Sequence, residues 1–295
     1  MGLEKALAIE AERREQNLEK SREIKAWKKL MFEVHITEHC NLNCKYCFHF
    51  SSLAKEEYLP LEEYERDLAR LSKLFNGIMH RITILGGEPL LHPQVAEFIT
   101  ATRKYFSVGD IKILTNGILL PTMDDTFWEA CHETGAIVYY TKYPIKLDVE
   151  AIKQKSEKYN VSLEIYNMED NVKQLVHEPL DLHGKQNAVK NFYDCYRSNA
   201  CITLKHGKIY TCLKAAHMHL FNDYFHKDIK LDEKNGIDIY KAQTGQEILE
   251  YLTKPIPMCA YCDRKNVTTG HTWGISKKEI SEFTLDKENQ DHING

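Results

Sequence analysis

The chain has 295 residues, 43% of them apolar and 28% charged, with a formal net charge of -4. That balance excludes the broad basic surface that nucleic-acid binding needs, and no apolar run approaches membrane-spanning length. The first thirty residues are charged throughout and contain no apolar signal-peptide core, so a cytoplasmic protein is expected.

Residues 3–30 are rich in Glu, Lys, Arg, Ala and Leu and contain no Pro, which reads as a helical N-terminal extension over 1–31. The pattern then changes. A strand is expected at 32–37, and a helix at 59–75 with Leu61, Tyr64, Leu68, Leu71 and Phe75 on one face. A strand at 81–87 ends in glycines, and a helix at 92–106 has Pro93 suited to its first turn. Next come a strand at 111–117, a helix at 123–135 stopped by Gly135, and a strand at 136–143. A helix at 148–160 with Asp148 as N-cap and a strand at 162–167 follow, with a sixth strand near 171–177.

Repeating βα units imply parallel strands joined by helical crossovers. The expected fold is α/β: a partial, open (β/α)6 barrel of TIM type over 32–185, with its active face at the C-terminal ends of the strands. Beyond it the alternation stops. A hairpin over 201–212 turns at His206-Gly207, and a helix at 245–254 is stopped by Pro255. These make a second unit over 186–280, and the polar tail 281–295 is expected to be disordered.

Nine cysteines is an odd and high count for such a chain, and their tight spacing argues against a disulfide framework. Cys40, Cys44 and Cys47 form C-x3-C-x2-C just after the first strand. Three thiolates leave one metal position open, whereas a structural zinc closes four, for which His39 or His49 stands near. Buried cysteines serving as small hydrophobes are the blander alternative. "GGEP" (86–89) ends the second strand and "TNG" (115–117) ends the third.

In this order, and with Tyr46 before the last cysteine, the motifs over about 32–170 resemble the radical S-adenosylmethionine superfamily. The resemblance implies a [4Fe-4S] cluster on Cys40, Cys44 and Cys47, with S-adenosylmethionine on the open iron. It implies that Gly86, Gly87 and Glu88 bind the methionyl amino group and Tyr46 the adenine. Thr115 and Asn116 would meet the ribose or carboxylate, and Lys142 the methionyl carboxylate. The family's later adenine motif is missing from the strand at 162–167.

Cys195, Cys212 and the Cys259–Cys262 pair resemble the twitch extension, a short form of the SPASM domain. Their spacing is similar to that of 2-deoxy-scyllo-inosamine dehydrogenase. The likeness implies an auxiliary [4Fe-4S] cluster on these four; four cysteines equally suit structural zinc. Cys201 is then spare, either a packing residue or a catalytic thiol that donates a hydrogen atom, as in radical epimerases. Cys131 reads as core, and His217 and His219 as surface.

The function implied is reductive cleavage of S-adenosylmethionine and hydrogen abstraction from a small polar substrate: a sugar, cyclitol or nucleotide. Oxidation through the auxiliary cluster is the expected outcome. The alternatives are epimerisation, a peptide substrate, or a non-catalytic iron–sulfur or zinc protein. An external one-electron donor of flavodoxin or ferredoxin type is expected, and neither a nucleic acid nor a membrane partner.

Overall fold

A computed structural model describes residues 30–166, 174–230 and 232–285. The expected N-terminal helix, apart from its last residues, and residues 286–295 lie outside the described residues.

Five strands come from the βα repeat: β1 (Met31–Thr37), β2 (Ile78–Gly86), β3 (Val108–Thr115), β4 (Ile137–Thr141) and β5 (Ser162–Tyr166). Each runs parallel to the next. The crossovers are α1 (Leu61–Leu74), α2 (Val95–Tyr105), α3 (Asp125–Thr134) and α4 (Val149–Lys158). Local chemistry sets their ends. Asp124 accepts the Phe127 N–H at the start of α3, and Gly135 closes it in the left-handed region at φ 67°. Asp148 caps α4 as expected, by accepting the Ala151 N–H. Helix α2 begins at Val95, so Pro93 sits in the turn before it and not in its first turn.

Alternation decides which side of the sheet is dry. Phe32, Val34 and Ile36 of β1, Ile82 and Ile84 of β2, and Ile111 and Ile113 of β3 are buried against Tyr64, Leu68, Phe98 and Trp128. The intervening residues are polar. Lys112 pairs with Glu164 at 2.6 Å and lies 4.9 Å from the Tyr139 ring centre, and Tyr139 stacks on Tyr166. An open sheet with one apolar and one polar face results.

The second half of the chain extends the same sheet. Its elements are β6 (Gln174–His177), α5 (Ala188–Asp194), α6 (Arg197–Ala200), β7 (Thr203–Lys205), β8 (Lys208–Tyr210), α7 (Leu213–Phe225), β9 (Gly236–Asp238), α8 (Gly245–Tyr251) and β10 (Thr268–Thr272). The eight-stranded order is β5-β4-β3-β2-β1-β7-β8-β9. Strand β7 lies parallel to β1, and the expected hairpin β7–β8 turns at His206 and Gly207, both at positive φ, as a two-residue I′ turn requires. Asp67 of α1 locks that turn by accepting the Gly207 N–H at 2.8 Å.

Two further expectations need correction, and one helix was not foreseen. The sixth strand forms, but β6 pairs antiparallel with β10 in a separate two-stranded sheet and does not continue the main sheet beside β5. The main sheet is therefore five βα-derived strands plus the antiparallel β7-β8-β9 extension. Residues 281–285 are not a loose tail: Phe283 is buried against Phe50 and Phe221, and Leu180 N–H donates to its carbonyl at 2.7 Å. Helix α7 had no sequence signal, since Leu213, Ala216, Met218, Leu220 and Phe221 bury it on all sides and leave no polar stripe to set a period.

Leu68 is fully buried where α1 meets the sheet. Leu68→Ala should lower stability by about 2–5 kcal/mol, read as an earlier urea midpoint with an unchanged slope.

Candidate functional site

The C-terminal ends of β1, β2 and β3 converge on one cavity of about 210 Å³. Cys40, Cys44, Cys47 and Tyr46 line it from the loop after β1, Gly86 and Gly87 from the end of β2, and Thr115 and Asn116 from the end of β3. Phe48, His49, Ser51, Ser52, Thr141 and Tyr143 also line it.

Two glycines let β1 and β2 approach so closely. A Cβ on Gly86 would lie 2.3 Å from the Thr37 carbonyl oxygen, and one on Gly87 would lie 2.0 Å from that of His39. Backbone bonds then fasten the loops, with Gly87 N–H to Thr37 O at 3.0 Å and Glu88 N–H to His39 O at 3.1 Å.

Glu88 does not face the cavity. Its buried carboxylate accepts from Thr115 Oγ1 at 2.6 Å, Asn116 N–H at 2.8 Å and Leu90 N–H at 3.1 Å. Burial pushes it up to about 7 against these three bonds, which favour the ionised form. Asn116, so placed, donates to Asn41 at 2.7 Å and approaches Cys40 Sγ at 3.8 Å. Lys142 lies between Thr141 and Tyr143, and it is those two neighbours that line the cavity.

The far end of the chain completes this site, which sequence reasoning missed. Segment 273–276 pairs with the cysteine loop through Lys45 N–H to Gly274 O and Ser276 N–H to Asn43 O, both 2.8 Å. The Trp273 indole N–H donates to Cys44 Sγ at 3.1 Å. Tyr46, at φ 58°, stacks on His177 of β6 and meets His271 of β10 edge-on. A lone Trp in a polar stretch carried no periodic signal.

The second cysteine set also comes together. Cys195 ends α5, Cys212 caps the start of α7, and Cys259 and Cys262 flank a turn held by Asn191, whose Nδ2 donates to both their carbonyls. Burial, together with Cys259, Cys262 and Cys195 nearby, pushes the Cys212 thiol well up. As thiols the four are neutral, and it would take a cation or cluster among them to draw them into the thiolate form. Arg264 approaches Cys195 Sγ at 3.8 Å.

The two sites share a wall. The Arg197 guanidinium lies 3.4 Å from the ring centre of Phe48, which lines the first cavity, while Arg197, Lys214 and Glu178 line the pocket of the second set. Glu178 is ion-paired to both cations, at 3.1 and 3.4 Å. Cys201 sits beside Glu33 and Arg197 and is not among the residues around the first cavity. Burial raises its thiol and pushes Glu33 up to about 7. Cys131 is fully buried in the core, as expected.

His217 is not on the surface; it is completely buried on α7. Its Nδ1 lies 2.9 Å from Glu38 Oε2, and Lys205 Nζ donates to Glu38 Oε1 at 2.5 Å. His35 bonds His49 at 2.7 Å, joining this network to the cavity wall. The ligand-type atoms of His35, Glu38 and His217 lie within 4.8 Å of one another. Yet the two rings stack at 3.7 Å with 22° between their planes. An imidazole binds a metal in its own plane, so stacked rings do not converge on one ion. The Lys205 ammonium supplies the positive charge here.

Residues 34–180 match the family model of the Radical SAM superfamily. The chain carries a radical SAM domain. The superfamily works with a [4Fe-4S] cluster and S-adenosylmethionine, and the three thiols of this glycine-walled cavity are the donor set that such a cluster takes.

Curated relatives align over part of this domain. A GTP 3′,8-cyclase of Alkaliphilus oremlandii is 36% identical over 101 residues, 33% of this chain and 30% of that protein. A probable GTP 3′,8-cyclase of Pyrococcus abyssi is 36% identical over 97 residues, again 33% and 30%. The match thus spans under a third of the length of either relative. Among solved structures, BtrN in complex with AdoMet and 2-DOIA aligns at TM-score 0.49 and 17% identity over 79% of this chain and 92% of that one. Streptococcus suis SuiB aligns at TM-score 0.37 and 21% identity, over 48% and 34%. Among the described residues no helix is long and apolar enough to cross a membrane.

A Cβ at position 87 has backbone on its far side, so Gly87→Ala should cost about 1–3 kcal/mol in a urea titration. A second outcome concerns pH. Burial holds His217 well below its usual value. The unfolded chain therefore binds the extra proton, and stability falls as pH drops below about 6.5. Glu33 and Glu88, raised to about 7, act in the opposite sense between about 4.5 and 7. The difference between wild type and His217→Gln isolates the histidine: the variant's stability should fall less steeply on acidification, by up to about 1.4 kcal/mol per pH unit.

Proposed function

We propose that the chain is a radical SAM enzyme that oxidises a small polar substrate, with Cys40, Cys44 and Cys47 holding the cofactor cluster and Cys195, Cys212, Cys259 and Cys262 an auxiliary one. The observation that carries this reading is the shared wall: Phe48 borders the first cavity, and Arg197 stacked on it borders the second. A substrate in the first cavity against Phe48 would stand one layer of side chains from the second set.

When bound and reduced, the first cluster supplies the electron that splits the sulfonium bond of S-adenosylmethionine and starts hydrogen abstraction. The chain's own residues place and protect that chemistry. Gly86 and Gly87 offer backbone to the methionyl end, and Thr115 and Asn116, set by Glu88, face the ribose end. Tyr46, fixed by His177 and His271, remains the candidate at the adenine end of the cavity. Lys142 remains a candidate for the methionyl carboxylate from the end of β4.

The substrate side of the cavity is polar. His49, Ser51, Ser52 and Asn116 are among the polar residues that line it. Such groups suit a hydroxyl-bearing molecule such as a sugar, cyclitol or nucleotide. The relatives' name, GTP 3′,8-cyclase, supports the nucleotide within that class. Oxidation is favoured over epimerisation because the second thiol set adjoins the cavity wall, while the spare thiol Cys201 stands off the cavity. An external flavodoxin- or ferredoxin-type donor would supply the electrons.

Anaerobic reconstitution with iron and sulfide, then reduction with S-adenosylmethionine present, tests this. About eight irons per chain and formation of 5′-deoxyadenosine are expected. Cys44→Ala should abolish the product. Cys259→Ala should halve the iron and keep cleavage. Four irons beside one zinc would make the second site structural, and absence of cleavage under strong reduction would sink the enzyme.

A further inference from the structure

We infer that Trp273 is a positioning residue that sets the reduction potential of the cluster on Cys40, Cys44 and Cys47, by donating its indole N–H to the Cys44 sulfur. The inference rests on the cluster reading above.

The contact is built in by the backbone. Cys44 and Ile275 form an antiparallel bridge, flanked by the Lys45-to-Gly274 and Ser276-to-Asn43 bonds of 2.8 Å each. These fix the segment on both sides of the loop, so the indole reaches Cys44 Sγ at 3.1 Å without freedom to drift. Tyr143, which lines the cavity, meets the Trp273 ring at 61° and 6.1 Å and holds it from the other side.

Cys40 Sγ receives the Leu42 N–H at 3.4 Å and Asn116 Nδ2 at 3.8 Å, both long. Tyr143 also hydrogen-bonds the Cys44 sulfur, and the indole bond to Cys44 is shorter than either of those two bonds to Cys40. A donor to a ligating thiolate stabilises negative charge, and the reduced cluster carries one more electron, so the bond favours reduction. The ring also excludes water, which acts in the opposite direction by disfavouring added charge. Replacing the indole by another ring separates the two effects, because the cover stays and the donor goes.

The test uses the full chain, reconstituted anaerobically with iron and sulfide. Redox titration is followed by electron paramagnetic resonance, with and without S-adenosylmethionine. The signal that S-adenosylmethionine perturbs marks the first cluster and separates it from any other. In Trp273→Phe the midpoint of that signal should become more negative. At the wild-type midpoint, the ratio of reduced to oxidised cluster should fall at least about threefold, or about 28 mV at 59 mV per tenfold.

If Trp273→Phe binds less iron, β-(3-benzothienyl)alanine at 273 keeps the shape of the indole and lacks only the N–H. It should give the same negative shift. A wild-type midpoint in a replacement that retains the cluster overturns the role of Trp273 and leaves the enzyme reading intact. A wild-type protein that forms no S-adenosylmethionine-responsive cluster overturns both.

Discussion

The carboxylate of Glu88 is the joint on which the site depends. Parallel strands bring their C-terminal ends to one edge, but nothing in a sheet fixes the loops that leave it. Glu88 stands at the end of β2, reaches sideways to the end of β3 and accepts from Thr115 and Asn116. Its own backbone is bound to the end of β1, through Glu88 N–H to His39 O and Thr37 Oγ1 to Glu88 O. One fully buried acid thus ties three strand ends together. A buried carboxylate without its donors would be strongly destabilising, so the three bonds and the loop geometry stand or fall as a unit.

The second constraint is that neither half of the chain makes the cavity alone. The βα repeat provides the floor and the cysteine loop. Segment 268–276 returns from the far end of the chain to pair with that loop, while β6 and β10 bring His177 and His271 against Tyr46. The β7–β8 hairpin extends the sheet at β1 and carries Lys205 to Glu38. Such a buried pair contributes little net stability once desolvation is counted, but removing one partner leaves an uncompensated charge. Its role is register: it fixes how the hairpin and α7 sit on β1, and with them the position of the Cys212 cap.

The charges between the two cysteine sets follow the same logic. Glu178 balances Arg197 and Lys214, and Arg197 covers Phe48. This leaves a thin wall with fixed dipoles and one surplus positive charge between the sites. Were both sets ionised to hold clusters, that charge would offset part of their mutual repulsion.

Much of this was legible in the sequence because it is local. Period-2 and period-3.6 runs announce β1 to β5 and α1 to α4, Gly135 and Asp148 mark helix ends, and His206-Gly207 marks the hairpin turn. Cysteine spacing, with GGEP and TNG at strand ends, announces the radical SAM domain, because motif and strand lie within a few residues of each other. What lies outside that reach depends on contacts far apart in the chain. The pairing of Trp273 with Cys44, the burial of His217 against Glu38, the turn of Glu88 away from the cavity and the diversion of β6 to β10 join residues with no shared period. Side-chain periodicity reports only which face of an element is dry. Which distant element covers that face is decided when the whole chain closes on it.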